Sequence, residues 1–400
     1  MKRFSELFFM LLVLIVTLLM LFYPEAAYEG ACRGLSTWAA HLLPSLLPFF
    51  IVADLLLSMG FVRFLGILLE PVMRPLFRLP GEAGFALALG FTSGFPMGAI
   101  LTSSLKEQKL CTSQEAARLA AFTSNSSPLF LLISVPISML HRPELGGLLL
   151  AAHYLANLTI GILLRFLAPA EPASIQPRHL FRTAVLEMRR YQITHRQPAG
   201  SILGQAVQKG IDSIVKIGGF VLLFSVLLSL FQKAHILNLL ERFFAGILTV
   251  MQISPQLSAA LSAGLFEMTL GAQTASQCHA SLLEQLMVIS FILGWSGLSI
   301  QAQVSSILTE QNISSRLYCL CRPLQGFLAA LYIPLLIVLF PDILSTHVIR
   351  PDTASIISAV PYPFWLFPFA ALLFLLILSA ASIKAATFSA TSSALSCFGR

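Results

Sequence analysis

Gly90-Phe91-Thr92-Ser93-Gly94-Phe95-Pro96-Met97-Gly98 and Phe122-Thr123-Ser124-Asn125-Ser126-Ser127-Pro128 interrupt apolar stretches in the first half of the chain. Gly264-Leu265-Phe266-Glu267-Met268-Thr269 and Gly294-Trp295-Ser296-Gly297-Leu298-Ser299-Ile300-Gln301 do the same in the second. The patches recur at an offset near 173 residues, the separation of Gly94 from Glu267, as a duplicated architecture would produce. A helix that opens at membrane depth frees N–H and C=O groups, which protein, water or a bound solute must satisfy. Paired interruptions in two halves therefore point to a transport site near the bilayer midplane.

Composition sets the class around these patches. With 56% hydrophobic and 11% charged residues over 400 positions, and a mean hydropathy of +0.83, the chain lacks the polar surface of a soluble protein. The formal charge of +7 sits in short loops between apolar spans, where the positive-inside bias explains it, and no basic stripe with interleaved aromatics suggests nucleic acid. Cys32, Cys111, Cys278, Cys319, Cys321 and Cys397 show neither a CxxC pair nor metal-ligand spacing, so they read as ordinary apolar cysteines.

Lys2 and Arg3 precede an apolar run from Leu7 to Phe22, read as an uncleaved first span, although Ala26-Ala27 and Ala31 offer a weak cleavage pattern. Apolar windows follow at 37–60, 82–105, 116–139, 144–168, 211–231, 236–253, 256–275, 283–309, 318–340 and 362–385, each long enough for a span or a re-entrant pair of half-helices. Residues 61–80 mix aromatics with Arg63, Arg74 and Arg78 and suit a helix lying in the interface; Leu239 to Phe244 looks like its counterpart. Between 169 and 210 the composition turns proline-rich and basic, from Pro169, Pro172 and Pro177 to Arg178, Arg182, Arg189, Arg190, Arg196 and Lys209. This polar connection reads as a solvated linker with a short helix, on the cytoplasmic side. The expected organisation is an N-terminal transmembrane anchor and loop (1–36), a first repeat (37–168), a basic cytoplasmic linker (169–210), a second repeat (211–345), and a C-terminal transmembrane helix and tail (346–400).

The interruptions carry the chemistry. In Thr92-Ser93-Gly94-Phe95-Pro96, glycine permits a tight reversal and proline removes a donor, so half-helix N-termini with their positive dipole ends would face an anionic or carboxylate-bearing solute. In Ser124-Asn125-Ser126-Ser127-Pro128, the proline unwinds the preceding turn and leaves carbonyls for substrate, Na⁺ or water. Isolated Ser and Thr residues usually back-bond within a span; the clustering, with a partner cluster in the other half, favours a site. Glu267 is a carboxylate in hydrocarbon and must face protein or a wet cavity, as a proton or cation site or as a structural hydrogen-bonding group. Thr269, Ser296 and Gln301 complete the candidate set, while Gln303 either contacts substrate or pairs between helices. Asp54 reads as a second deep acid with a helix-packing or arm-positioning role; His41, His153 and Asn157 read as interfacial hydrogen-bonding residues.

The stretches His41-Leu42-Leu43-Pro44-Ser45-Leu46-Leu47-Pro48-Phe49-Phe50, Gly90 to Gly98 and Phe122 to Pro128 resemble the signatures of the YlbJ family of sporulation integral membrane proteins, within the nucleoside-recognition or Gate superfamily. The resemblance covers roughly residues 35–340. It implies an all-α polytopic membrane fold of two inverted repeats, each with a re-entrant hairpin and a broken helix, similar to concentrative nucleoside transporters. It also implies late spore development, the mother-cell-derived outer forespore membrane, and dipicolinate, a small aromatic dicarboxylate, as the solute moved. Carried over residue by residue, the substrate contacts are Thr92 to Pro96, Ser124 to Pro128, Glu267, Thr269, Ser296 and Gln301. The chain departs from nucleoside transporters in lacking an acid at the first hairpin tip and in having Ser124-Asn125-Ser126-Ser127 where they have an acid–amide pattern.

Two alternatives stay open at this stage: a non-transporting membrane protein needed for spore cortex or coat assembly, and a nucleoside-type transporter. An intramembrane hydrolase is not supported, because Gly294-Trp295-Ser296-Gly297-Leu298 lacks the final Gly of a nucleophile elbow and no histidine is placed as its base. The expectation is therefore no enzyme, no metal and no cofactor, with coupling to Na⁺ or H⁺ and homo-oligomerisation left open.

Overall fold

The structure is a computed structural model that describes residues 2–168 and 180–340. The span expected at 362–385, the tail, Cys397 and the Pro169 to Arg178 part of the connection lie outside the described residues. All regular structure in the described residues is helical.

Helix α1 (Lys2–Phe22) and α2 (Pro24–Thr37) meet at a 104° bend, where Tyr23 leaves helical geometry and Pro24 opens the next helix. A wider π-type turn, Trp38–Leu42, leads into α3 (Leu43–Ser58). Gly60, with φ +76°, then turns the chain by 82° into α4 (Phe61–Phe77). This helix buries Val62, Gly66, Met73 and Phe77 and exposes Val72 and Leu76, the two-faced pattern expected of an arm at the interface. A hairpin of two short helices follows, α5 (Ala83–Ser93) and α6 (Met97–Glu107). Next come α7 (Ser113–Thr123), a non-helical stretch, a π-wound segment (Phe130–Met139) and α8 (Gly146–Leu164). After α9 (Leu180–Thr194), the same order returns. It consists of a long helix α10 (Ala199–Lys233), an amphipathic α11 (Ile236–Val250), a hairpin of α12 (Ser258–Phe266) and α13 (Met268–Gln277), a helix broken between α14 (Leu282–Trp295) and α15 (Gly297–Glu310), and a closing helix α16 (Arg316–Leu339).

By length and composition, four stretches of the described residues can cross a bilayer: Pro143–Leu167, Ala199–Lys233, Leu282–Glu310 and Arg316–Leu339. Counting each of the two bent pairs as one span raises the number to six. The chain is thus a polytopic all-α membrane protein. Leu12, Leu14, Ile133, Ile162, Val215, Leu223 and Leu335 point outward, a lipid-compatible surface around the packed interior.

Three devices hold the interior in register. Both broken helices begin with a capping box: Thr112 Oγ1 accepts from the Glu115 N–H while Glu115 accepts from Thr112, and Ser281 and Glu284 do the same at α14. Arg118 of α7 reaches the last carbonyls of the arm α4, donating to Phe77 O (3.1 Å) and Arg78 O (2.9 Å). Helix α16 lies against α14, α8 and α7, and close backbone approach there is possible because Gly294 and Gly326 face each other.

Asp54 has the helix-packing role expected of it: its Oδ1 accepts from Lys209 Nζ at 3.2 Å, joining α3 to α10. The basic connection holds the short helix expected there, α9, and that helix is packed rather than free. Helix α9 packs on α4 through the Arg63 guanidinium over the Tyr191 ring (4.9 Å), the Phe64–Phe181 edge contact (5.8 Å) and the Gln192 amide donating to Met59 O (3.0 Å). Residues 199–210 belong to α10, whose 35 residues extend for about 52 Å, well beyond a hydrocarbon core of about 30 Å.

Candidate functional site

Each interruption ends one helix and starts another, and the structure brings all four interruptions into contact. At the first hairpin tip, Gly94 has φ +85° and ψ −167°, a backbone state essentially reserved for glycine. A Cβ there would lie 2.8 Å from Ser127 N and Cβ, so the tip rests directly on the first helix break. In the second half the arrangement is matched: Gly297, φ +78°, abuts the Phe266 carbonyl and Glu267 Cα of the hairpin. Trp295 Nε1 donates to Leu265 O across the same contact (3.0 Å). The halves meet where Ser126 Oγ faces Met268 Sδ at 3.8 Å.

Ser124, Asn125 and Ser126 are fully buried at the break after α7. Their neighbourhood is polar but incompletely paired: Ser93 Oγ, Ser124 Oγ, Asn125 Oδ1, His153 Nδ1, Asn157 Oδ1 and Gln325 Oε1 are buried without a partner among the described residues. Native interiors pair nearly all such groups, so these exceptions beside the first break make it the candidate site.

Of the carbonyls expected to be free at this break, that of Ser124 is engaged, together with the α7 carbonyls of Ala121 and Phe122. Arg322, fully buried on α16, donates Nη1 to Ser124 O at 3.0 Å and Nη2 to Ala121 O, while Asn125 Nδ2 donates to Phe122 O at 3.4 Å. A side chain from the second half thus caps the C-terminus of α7. His153 of α8 takes the other side of the break: its Nε2 accepts from the Ser126 N–H at 3.2 Å and lies 3.4 Å from Gln325 Nε2 of α16. Two donors on Nε2 require a neutral ring with its proton on Nδ1. Tyr154, next along α8, donates its hydroxyl to Phe91 O and ties that helix to the first hairpin.

The remaining sequence candidates divide. Ser93, Gly94 and Pro96 are buried at the tip with Phe95 half-buried beside them, and Ser127 Oγ accepts from the Phe130 N–H (3.3 Å) just beyond Pro128. Thr92, by contrast, is exposed and donates back to Ala88 O (3.0 Å), so it stands outside the cluster. Glu267 Oε2 accepts from the Leu270 N–H at 2.7 Å as the N-cap of α13, answering the positive end of that helix with the chain's own carboxylate. Thr269 is half-buried in the first turn of α13. Ser296 is buried at φ +66°, with its hydroxyl donating to Trp295 O (2.6 Å), and Gln301 Nε2 donates to the same carbonyl at 3.1 Å. Gln303 pairs with Ser299 Oγ at 3.4 Å rather than with another helix.

Arg322 and Gln325 were not among the candidates read from sequence, and His153 and Asn157 were read there only as hydrogen-bonding residues, which they are. The available signal was Arg322 itself, an ionisable residue inside an apolar span and directly before Pro323. Among the described residues no group of three or more His, Cys, Asp or Glu side chains is arranged to hold a metal ion.

Comparison with known proteins bears on the same stretches. The family model described as Gate, nucleoside recognition, matches residues 39–142 and again 214–315. The sporulation integral membrane protein YlbJ of Bacillus subtilis is 40% identical over 328 residues, spanning 81% of this chain and 80% of that protein. An uncharacterized protein of Alkalihalophilus pseudofirmus is 34% identical over 113 residues, 27% of this chain and 23% of its own. No solved structure gives a significant match.

Proposed function

From the premise that the chain belongs to the nucleoside-recognition (Gate) family, and within it to the family of the sporulation integral membrane protein YlbJ, we propose that it is a carrier of a small anionic metabolite in sporulation. The substrate class is an aromatic dicarboxylate, dipicolinate, moved across the outer forespore membrane. The observation that carries this reading is the meeting of four helix interruptions, two from each half, around buried polar atoms without partners. A purely scaffolding membrane protein gains nothing from such a core, because every unpaired buried polar group costs about 1–3 kcal/mol. A carrier uses it for solute.

The two matched stretches of one family model, starting at 39 and 214, and the twice-occurring order of long helix, arm, hairpin, broken helix and closing helix support a duplicated, inverted-repeat carrier. Such a carrier exposes its site alternately by moving one unit against the other. The anionic preference rests on the first half, where the starts of α6 and of the segment after Pro128 carry no acid of their own, unlike α13 with Glu267.

The test is flux of radiolabelled dipicolinate into proteoliposomes holding the purified protein, against empty vesicles and an Asn125→Ala variant at matched incorporation. Flux above the empty vesicles that falls in the variant supports the reading. Wild-type flux equal to that of empty vesicles refutes it, and undiminished flux in Asn125→Ala removes the first break from the site.

A further inference from the structure

Arg322 stands out among the buried charges. It is completely enclosed on α16, and the ionisable groups beside it are His153, Tyr318, Cys319 and Cys321, none of them a carboxylate. No ion pair engages it among the described residues. Its contacts are two backbone carbonyls, Ser124 O and Ala121 O, and the face of Tyr318, with the guanidinium carbon 4.7 Å from the ring centroid. Carbonyls and a ring face only accept, so the group is held as a cation. Its Nε–H has no partner.

The C-terminus of α7 offers only about half an elementary charge in return. A buried cation without a full counter-charge is costly, and membrane proteins keep such groups where they are used. On the other side of the same break, His153, whose Nε2 accepts from Ser126 N–H, has an Nδ1–H without a partner. That donor and the free Nε–H of Arg322 suit carboxylate oxygens, and a guanidinium grips a carboxylate with two parallel N–H bonds.

We propose that Arg322 is the substrate-binding cation: without solute it rests on the Ala121 and Ser124 carbonyls, and it exchanges them for a carboxylate of the substrate. This deepens the carrier reading and rests on it. No covalent bond changes; the guanidinium trades neutral acceptors for a charged one, and the end of α7 is released when substrate arrives. Anion recognition would then depend on a residue from the second half acting on the break of the first.

The experiment compares wild type, Arg322→Lys and Arg322→Gln for dipicolinate flux and for thermal stabilisation by dipicolinate and by its neutral diamide, pyridine-2,6-dicarboxamide. Glutamine can still cap a carbonyl but carries no charge. Expected is a loss of dipicolinate affinity of at least about thirtyfold in Arg322→Gln, the lower bound for removing one partner of a desolvated charge pair, with a smaller loss in Arg322→Lys. The diamide response should stay within about threefold of wild type, since its weak hydrogen bonds do not need the cation. Equal dipicolinate affinity in wild type and Arg322→Gln overturns the proposal and leaves the carrier reading intact. If wild type moves no dipicolinate yet is stabilised by another carboxylate only while Arg322 is present, the substrate assignment fails and the role of Arg322 stands. Should Arg322→Gln not fold, competition in wild type decides: inhibition by the diamide as strong as by dicarboxylates overturns the proposal, and inhibition by dicarboxylates alone supports it.

Discussion

Replacing Gly94 by alanine tests whether the hairpin tip must rest on the helix break. Two costs apply and they are separable. The backbone at φ +85°, ψ −167° lies in a region that residues with a Cβ essentially never occupy, worth about 1–3 kcal/mol of strain. The new methyl would also lie 2.8 Å from Ser127 N and Cβ and 3.0 Å from Ser127 Cα, where a backbone cannot yield as a flexible side chain would, adding about 1–3 kcal/mol of overpacking. The sum is about 2–6 kcal/mol, relieved only by separating tip from break. Gly219→Ala is the control: it sits in the middle of α10 with nothing within 4 Å of an added Cβ, and alanine there is favoured by about 0.5–1 kcal/mol. Thermal unfolding in detergent and dipicolinate flux in proteoliposomes should both fall for Gly94→Ala and hold for Gly219→Ala. Indistinguishable unfolding and flux in the two variants would show that the tip–break contact is not part of the working fold.

Glu267→Gln should keep the cap on the Leu270 N–H and leave flux within about twofold of wild type, while Glu267→Ala should lose about 0.5–2 kcal/mol of stability. Abolished flux in Glu267→Gln at unchanged unfolding temperature would instead assign its charge to transport. His153→Leu strands the buried Ser126 N–H and should cost about 1–3 kcal/mol, part of which His153→Gln recovers through its amide oxygen; equal unfolding of both variants argues against that bond. Thr112→Ala and Ser281→Ala should each cost about 1 kcal/mol, and the double variant should cost their sum, since the caps lie on separate helices. A departure from additivity beyond about 0.5 kcal/mol, measured by denaturant unfolding, would mean that the caps share a partner.

The hairpins and breaks were legible because glycine, proline and clustered hydroxyls are costly inside an apolar helix, so their presence in pairs has few innocent explanations. The arm was legible for a similar reason: arginines spaced among aromatics fit neither a span nor a soluble loop. What escaped was chemistry held on regular helices. His153 was read as a hydrogen-bonding residue, but its partners, Ser126 after α7 and Gln325 of α16, are set by tertiary packing alone. Arg322 announced itself by being charged in hydrocarbon, but its target, the carbonyls of Ala121 and Ser124, is about two hundred residues away in sequence, and local pattern carries no trace of it. Asp54 was legible as a helix-packing acid but its partner was not, because α10 brings Lys209 from a segment that composition assigned to a linker.

The contacts also differ in strength in a way that bears on movement. Within each half the tip and the break are in backbone contact, Gly94 on Ser127 and Gly297 on Phe266, so these pairs move together or not at all. Between halves at the same place there are the long Ser126–Met268 and His153–Gln325 contacts, which cost little to open, and the pair of Arg322 bonds, which costs a great deal because a buried guanidinium cannot be left without acceptors. On the proposed role of Arg322, motion of α16 away from α7 therefore needs another acceptor for the guanidinium. A substrate carboxylate supplies a charged one, whereas water or a neutral carbonyl-bearing solute supplies only a neutral one. The anion then lowers the cost of the change in exposure further than either, so a single buried cation would bind the substrate and also favour its passage, without forbidding return of the empty carrier.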